Sequence, residues 1–561
     1  MLTRRDFLQV TAATAALMSG APFSKVAAQQ KITQEKLLEF SPVGQITLLN
    51  FVDCHAQLMP LYFREPSMNF GVGNVHGLPP HITGKDFLRH FGLKAGSPEA
   101  YAFTSTDHVA LSNTYGRIGG MAQMATLIKA IRAERSSNTL LVDCGDTWQG
   151  SYSSLQTRGE DMVTVMNAMG VDLMTAHWEF TYGTERVKEL IEKLNFPFLA
   201  GNVTDTEWEE PVFKDVAFFE RGGVKIGVIG QAFPYTPIAN PRYMIPNWSF
   251  GIQEDKMRES IKKAKAGGAE LVVLASHNGF DVDRKLASRV DGIDVILTGH
   301  THDAIPTAIK VKDTILIATG SHGKFLGRLD LEVKNKKVVN FRYKLMPVFS
   351  DAIKPDPEIA EVIRKVRALY EKTVNTVLGK TEGLLYRRGN FNGTFDDLIN
   401  QAIMEERDTQ ISLSPGFRWG ATLLPGQDIR VEDLFSQTSI TYPAVYRNEM
   451  TGKFLKEILE DVGDNLFNPD PYFQQGGDMV RVGGMGYHFD IGQKIGSRVS
   501  KMTLLSTGEP IDPAKTYIVG GWASVNEATK GPAIYDLVSN YIKRKKSVKI
   551  EQNTAVKVTG M

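Results

Sequence analysis

Short apolar runs, each ending in a segment that carries Asp or His, punctuate the first 300 residues of the chain, and this pattern limits the fold more than any other feature. Phe51-Val52 leads into Asp53-Cys54-His55, and Leu140-Leu141-Val142 into Gly145-Asp146. Leu271 to Ala275 leads into His277-Asn278-Gly279, and Val295 to Thr298 into Gly299-His300-Thr301-His302. The runs have the length and aliphatic content of buried strands, and stretches with helical spacing, such as Met121 to Arg132 and Val163 to Met169, lie between them. Strands alternating with helices predict an α/β domain with central, mostly parallel strands packed with helices. In such sheets the loops beyond the carboxyl ends of the strands converge, however distant they are along the chain.

Carboxylate oxygens and imidazole nitrogens are the donors expected of Mn, Zn or Fe centres. A spacing of two points both side chains of an extended segment the same way, as Asp53 with His55 and His300 with His302 require. One Asp-x-His or His-x-His is common by chance. An ordered series, each member following a strand, is far more specific.

At 561 residues the chain is too long for one hydrophobic core, so two domains are expected. The α/β pattern occupies about 29–350. Lys354-Pro355-Asp356-Pro357 opens a charged helix from Glu358 to about Val374, within a linker over 351–377 that suits an interdomain connector. Gly-rich turns and mixed short strands over 378–561 read as a C-terminal α+β domain, and the Gly-, Pro- and His-rich stretch 58–115 reads as an insertion near the mouth of the site. With 42% hydrophobic and 23% charged residues the chain is globular, and its formal charge of +1 offers no general attraction to nucleic acid or an anionic membrane. Residues 1–28 carry Thr3-Arg4-Arg5-Asp6-Phe7-Leu8, an apolar stretch well short of the ~20 residues that span a bilayer, and Val26-Ala27-Ala28. They read as a twin-arginine signal that sends a folded protein to the periplasm. Cys54 and Cys144 are expected to be buried free thiols, a disulfide being open to them only if their strands neighbour.

The ordered series resembles the signature of the calcineurin-like metallophosphoesterases, and with the C-terminal part the chain resembles the exported 5′-nucleotidases over nearly its whole mature length. The resemblance implies one metal held by Asp53, His55 and His302 and a second by His177, His277 and His300, with Asp146 bridging the two. It departs at Ala176-His177-Trp178-Glu179-Phe180-Thr181-Tyr182-Gly183, where nucleotidases carry Gly-Asn-His-Glu-Phe-Asp-Tyr-Gly. The asparagine ligand becomes His177, and a histidine that helps protonate in phosphatases becomes Trp178, whose indole has no titratable proton. Together with Asp53-Cys54-His55-Ala56-Gln57-Leu58 and Asp143-Cys144-Gly145-Asp146-Thr147-Trp148-Gln149-Gly150, this segment resembles the SoxB thiosulfohydrolase family of bacterial sulfur oxidation. What that implies is a periplasmic enzyme with two Mn2+. Its metal-bridging hydroxide would take the terminal sulfonate from a cysteine S-thiosulfonate on a SoxYZ-like carrier protein and release sulfate. The alternatives are a 5′-nucleotidase or general phosphoesterase with a modified site, and a metal-bearing but inactive binding subunit.

Beside Asp146 and Trp178, two arginines are catalytic candidates. Arg418, in Ser414-Pro415-Gly416-Phe417-Arg418, stands where nucleotidases hold an anion-binding loop, although a surface salt bridge would equally account for it. Arg117 precedes a helix start, which favours anions. Asn202 is a candidate to support the ligands, His322 reads as structural, and Tyr487 and Phe489 do not support base stacking. His76, His81, His90 and His108 carry no ligand spacing.

Overall fold

The computed structural model describes residues 32–391 and 393–560, and the expected export segment 1–28 lies outside the described residues. Two sheets stack face to face in the N-terminal half. One has the order Lys337–Pro347, Phe325–Lys334, Ile46–Phe51, Thr139–Asp143, Leu173–Met174, and the other Ile309–Val311, Thr314–Ala318, Val295–Thr298, Leu271–Ser276, Val224–Gln231, Val216–Arg221. Their central strands are parallel; antiparallel strands close both edges of the second sheet and one edge of the first, whose other edge is the parallel strand Leu173–Met174.

The apolar runs are continuous because both faces of each sheet are covered. With a side-chain period of two, Leu48, Leu140 and Val142 meet Val273, Val295, Leu297 and Ile317 between the sheets. Leu49, Phe51 and Leu141 instead face the helices Met121–Arg135 and Glu160–Met169. On the far side Leu274, Ile296 and Leu316 face the helices Glu254–Ala266 and Phe280–Arg289. Each such side chain, fully buried, contributes about 1.5–3 kcal/mol of transfer free energy. The result is a four-layer α/β/β/α stack.

The helix expected from Glu358 to Val374 is two pieces. Pro357–Arg367 starts on the Asp356 carboxylate, which accepts from the amide of Ile359 at 3.0 Å, and Glu371–Val374 adds a short turn. Ile359 and Ile363 lie in the same core as the helices Met121–Arg135 and Glu160–Met169, so the first piece belongs to the N-terminal stack. The 58–115 stretch forms the helices Gly84–His90, Pro98–Phe103 and His108–Tyr115, whose Phe87, Tyr101, Phe103 and Tyr115 pack on Phe325, Leu345 and Phe349. Its leading part touches both halves. Tyr62 pairs with Thr422, Asn69 donates to Asp303 at 3.1 Å, and the amide of Phe70 donates to Asn390 at 2.6 Å.

The C-terminal half combines three small sheets with the helices Thr394–Arg407, Val431–Thr438, Gly452–Phe467 and Ile534–Lys545. One of its cores, built on Phe395, Leu398, Trp419 and Ile534, includes Trp178 from the N-terminal half. Tyr487 and Phe489 are core residues of another. Among the described residues no helix is long and apolar enough to cross a membrane.

Candidate metal centre

Each segment that carries a proposed metal ligand leaves the carboxyl end of a parallel strand, so the segments from the two sheets meet at one end of the stack. The first two zip together. The amide of Asp53 donates to Gly145 O at 2.9 Å, that of His55 to Asp146 O at 2.8 Å, and that of Ala56 to Thr147 O at 3.0 Å. The amide of His300 donates to both Asp53 carboxylate oxygens, at 3.2 and 3.0 Å. Asp53, His55, Asp146, His300 and His302 all have positive φ, from 46° to 75°. Left-handed backbone costs a residue with a Cβ about 1–2 kcal/mol, so the surrounding hydrogen bonds hold these turns against their local preference.

The side chains form two overlapping, buried groups. Asp53, His55, Asp146 and His302 make one, Asp146, His177, His277 and His300 the other, and within each the ligand atoms lie inside 4.8 Å of one another. Asp146 is common to both. Its Oδ2 lies 3.2 Å from His177 Nδ1, 3.1 Å from His277 Nε2 and 3.7 Å from His55 Nε2, while its Oδ1 accepts from the Trp178 amide at 2.7 Å. His55 Nε2 and His302 Nε2 are 3.1 Å apart. His277 donates from Nδ1 to Cys144 O at 2.6 Å, which leaves Nε2 to face the carboxylates.

Electrostatics make the same demand. Burial would raise the Asp146 carboxyl, but His177, His277 and His55 hold it well below the usual carboxylate range. Burial would lower His277, yet Asp146 and Asp53, 3.1 and 3.5 Å from its Nε2, push it up to about 10. Burial lowers His55 to about 4 and takes His300 and His302 well below the ordinary imidazole value, leaving them as neutral lone-pair donors. Oxygen and nitrogen donors focused on positions that favour positive charge fit a pair of divalent cations.

Glu179, which no sequence motif marks as a ligand, sits beneath the ligands. Its fully buried carboxylate accepts from the amides of Asp146, Thr147, Trp148 and His177, at 3.3, 2.6, 3.2 and 2.7 Å, and so ties two ligand segments to one group. Phe233, also unanticipated, lies with its ring 4.1 Å from those of both His177 and His300. Asn202 touches no ligand. It brackets the Ala232 backbone through N–H and C=O contacts of 2.9 and 2.8 Å and thereby fixes Phe233. His322 has its Nε2 taken by the Gly420 amide at 3.0 Å and its Nδ1 by Ser321 at 2.8 Å, the structural role expected.

The C-terminal half closes over these groups. A cavity of about 210 Å³ is walled by His55, Asp146, His177, His300 and His302 together with Trp178, Phe233, Phe417, Arg418 and Trp419. The Trp178 indole meets Phe417 and Trp419 edge to face, with centroids at 5.4 and 4.9 Å. Arg418 lines the cavity and is aimed by Asp478 at 3.2 Å and by Thr301 O at 2.9 Å. Arg388, another unanticipated residue, is buried beside it and donates to Thr301 O at 3.0 Å. Arg117 is not brought here. It is exposed and lines a separate cleft with Arg367 and Arg430. The adjoining helix begins four residues later at Met121, and the Met121 amide is taken by Leu58 O, so no open helix end draws an anion to Arg117. In the insertion His81 pairs with Asp281 at 2.6 Å, His108 contacts Ser112, and His76 and His90 are exposed. Both cysteines are free. Cys54 lies in the helix-side core and Cys144 in the core between the sheets.

Comparison with known proteins gives a consistent picture. Residues 377–530 match the family described as the 5′-nucleotidase, C-terminal domain. The 5′-nucleotidase of Bos taurus is 25% identical over 465 residues, covering 74% of this chain and 79% of that protein. The solved structure of the sulfate thiohydrolase SoxB of Thermus thermophilus, in complex with glycerol, superposes with a TM-score of 0.90 at 35% identity over 93% of this chain and 98% of that one. A 5′-nucleotidase precursor, also from Thermus thermophilus, shares the fold, with a TM-score of 0.73 at 22% identity over 92% of this chain and 100% of that one.

Proposed function

Because this chain belongs to the SoxB family within the 5′-nucleotidase superfamily, we propose that it is a periplasmic thiosulfohydrolase, exported by the twin-arginine route, that removes the terminal sulfonate from a cysteine S-thiosulfonate on a SoxYZ-like carrier protein. One observation carries the reading. Apart from Arg418, every titratable side chain lining the cavity belongs to the two candidate ligand groups. No spare acid is left to protonate a leaving group, and Trp178 stands where the resembled phosphatases carry a histidine.

A phosphomonoester must expel an alkoxide, which gains from a proton donor. A sulfur chain leaves as a weak base, since thiols ionise near ~8.5 and persulfides lower. In the proposed reaction the oxygen of water bonds to the terminal sulfonate sulfur and the S–S bond to the sulfane sulfur breaks. The electron pair departs with the carrier as a persulfide anion, and the two protons of water pass to solvent as sulfate forms. Asp53, His55, His302 and Asp146 would hold one cation, and Asp146, His177, His277 and His300 the other. A divalent pair, proposed here as two Mn2+, supplies Lewis acidity and acidifies water. The Arg418 guanidinium would orient the sulfonate oxygens with its planar donors. Trp178, Phe233, Phe417 and Trp419 would exclude water and give the polarisable sulfur chain an aromatic wall.

The test is release of sulfate from a thiosulfonated carrier set beside release of phosphate from AMP, with bound metal counted in the same preparation. About two manganese per chain, sulfate release and little AMP hydrolysis are expected. Trp178→His, which supplies a proton donor, should raise AMP hydrolysis tenfold or more without improving sulfate release. The similarity to curated 5′-nucleotidases gives the AMP arm its force: brisk AMP hydrolysis by the parent with no sulfate would replace this reading by a nucleotidase.

A further inference from the structure

The ligand-bearing segment Gly299-His300-Thr301-His302 belongs to the N-terminal half, yet the C-terminal half grips it. His300 Nε2 lies 2.8 Å from the carbonyl oxygen of Gln475. Thr301 O accepts from Arg418 Nη1 at 2.9 Å and from Arg388 Nη2 at 3.0 Å, and His302 O is 3.5 Å from the same Arg388 nitrogen. The loop that presents Gln475 is itself fixed. The Gln474 amide side chain donates to Asn468 O at 2.8 Å, the Gly476 amide to Asn465 O at 3.3 Å, and the Asp478 amide to Gly416 O at 2.8 Å.

A carbonyl oxygen only accepts, so His300 must carry its proton on Nε2 when it meets Gln475. Its Nδ1 lone pair is then the one free to face Asp146, His177 and His277. Gly476 is where this approach is closest. Its φ is +74°, and a Cβ built there would stand 2.4 Å from His300 Nε2, so only glycine lets the backbone come so near.

We infer that the Gln474–Asp478 loop, together with Arg388, is a positioning element of the metal centre, setting the tautomer and placement of the His300–His302 segment from the opposite half of the molecule. Metal affinity and the seating of the C-terminal half are then reciprocally linked: cations tighten the seating, and loosening it weakens the cations. The inference rests on the dimetal reading above but not on the identity of the substrate.

The decisive experiment is amide hydrogen exchange on the full-length protein, metal-free and with MnCl2. Manganese should slow exchange at Gly476, Gly477 and Asp478 tenfold or more, although no residue of that half is among the proposed ligands. Arg388→Ala and Gly476→Ala should each weaken manganese binding tenfold or more and leave closer to one ion per chain after gel filtration, with Arg388→Lys recovering part of the loss. If either variant fails to fold, the exchange experiment on the unaltered chain still decides. Two bound ions with unchanged exchange at the loop would overturn the inference and leave the dimetal reading standing. Failure to bind manganese at all would end both.

Discussion

Asp397, far in sequence from the proposed ligands, has a carboxyl that burial pushes up to about 7, with Asp396 beside it adding to the rise and only the Asn553 amide and Arg481 opposing it. The folded chain therefore keeps a proton that the unfolded chain has already released. Stability falls as pH climbs from about 4 to about 7 and levels off above that. Asp397→Asn, which can still accept from Asn553, should remove this slope and stabilise the protein at pH 8 by on the order of 2 kcal/mol while changing little at pH 4. Denaturant midpoints at the two pH values check it, and equal shifts at both would refute the assignment. At this scale the sequence is most readable where chemistry repeats at strand ends. Asp53, His55, Asp146, His277, His300 and His302 stand out there, His177 comes in through the family resemblance, and the fold brings all seven together. Arg388 and the Gln475 carbonyl are not legible: one is an arginine among many, and the other is backbone, which every residue has. Arg117 misleads because a glycine turn before a helix says nothing about what covers the first amide.

Among the elements, the ligand turn after Thr139–Asp143 is irregular, and the one after Leu173–Met174 is irregular up to His177, where the 3-10 turn Trp178–Tyr182 begins. They share the Glu179 carboxylate, which takes four amide hydrogens. Glu179→Gln keeps the shape but replaces an acceptor by a donor facing amides. It should cost about 2–4 kcal/mol and lower bound manganese, read by urea denaturation and metal analysis of the same sample. Unchanged values in both would mean the turns hold themselves. The α/β character and the parallel central strands follow from continuous apolar runs, whereas the strand order and the division into two sheets do not. The join near 351–377 does not, because a charged amphipathic helix reads alike whether its apolar face meets one domain or spans two. Ile359 and Ile363 settle on the N-terminal stack.

For the whole molecule, the N-terminal Trp178 fills a core of the C-terminal half, so neither half keeps that core intact without the other. The parent is expected to unfold in one transition seen alike by circular dichroism and tryptophan fluorescence. Trp178→Ala, a truncation worth about 3–5 kcal/mol, should split it into two. A single unsplit transition in the variant would show that the other contacts suffice. Cys54 and Cys144 stand in different cores, with the Cys144 sulfur engaged by Asn50 and Leu297 O, each at 3.3 Å. Maturation is thereby indifferent to oxidant: the chain reaches one and the same native state in reducing or oxidising surroundings, with no disulfide left to be made.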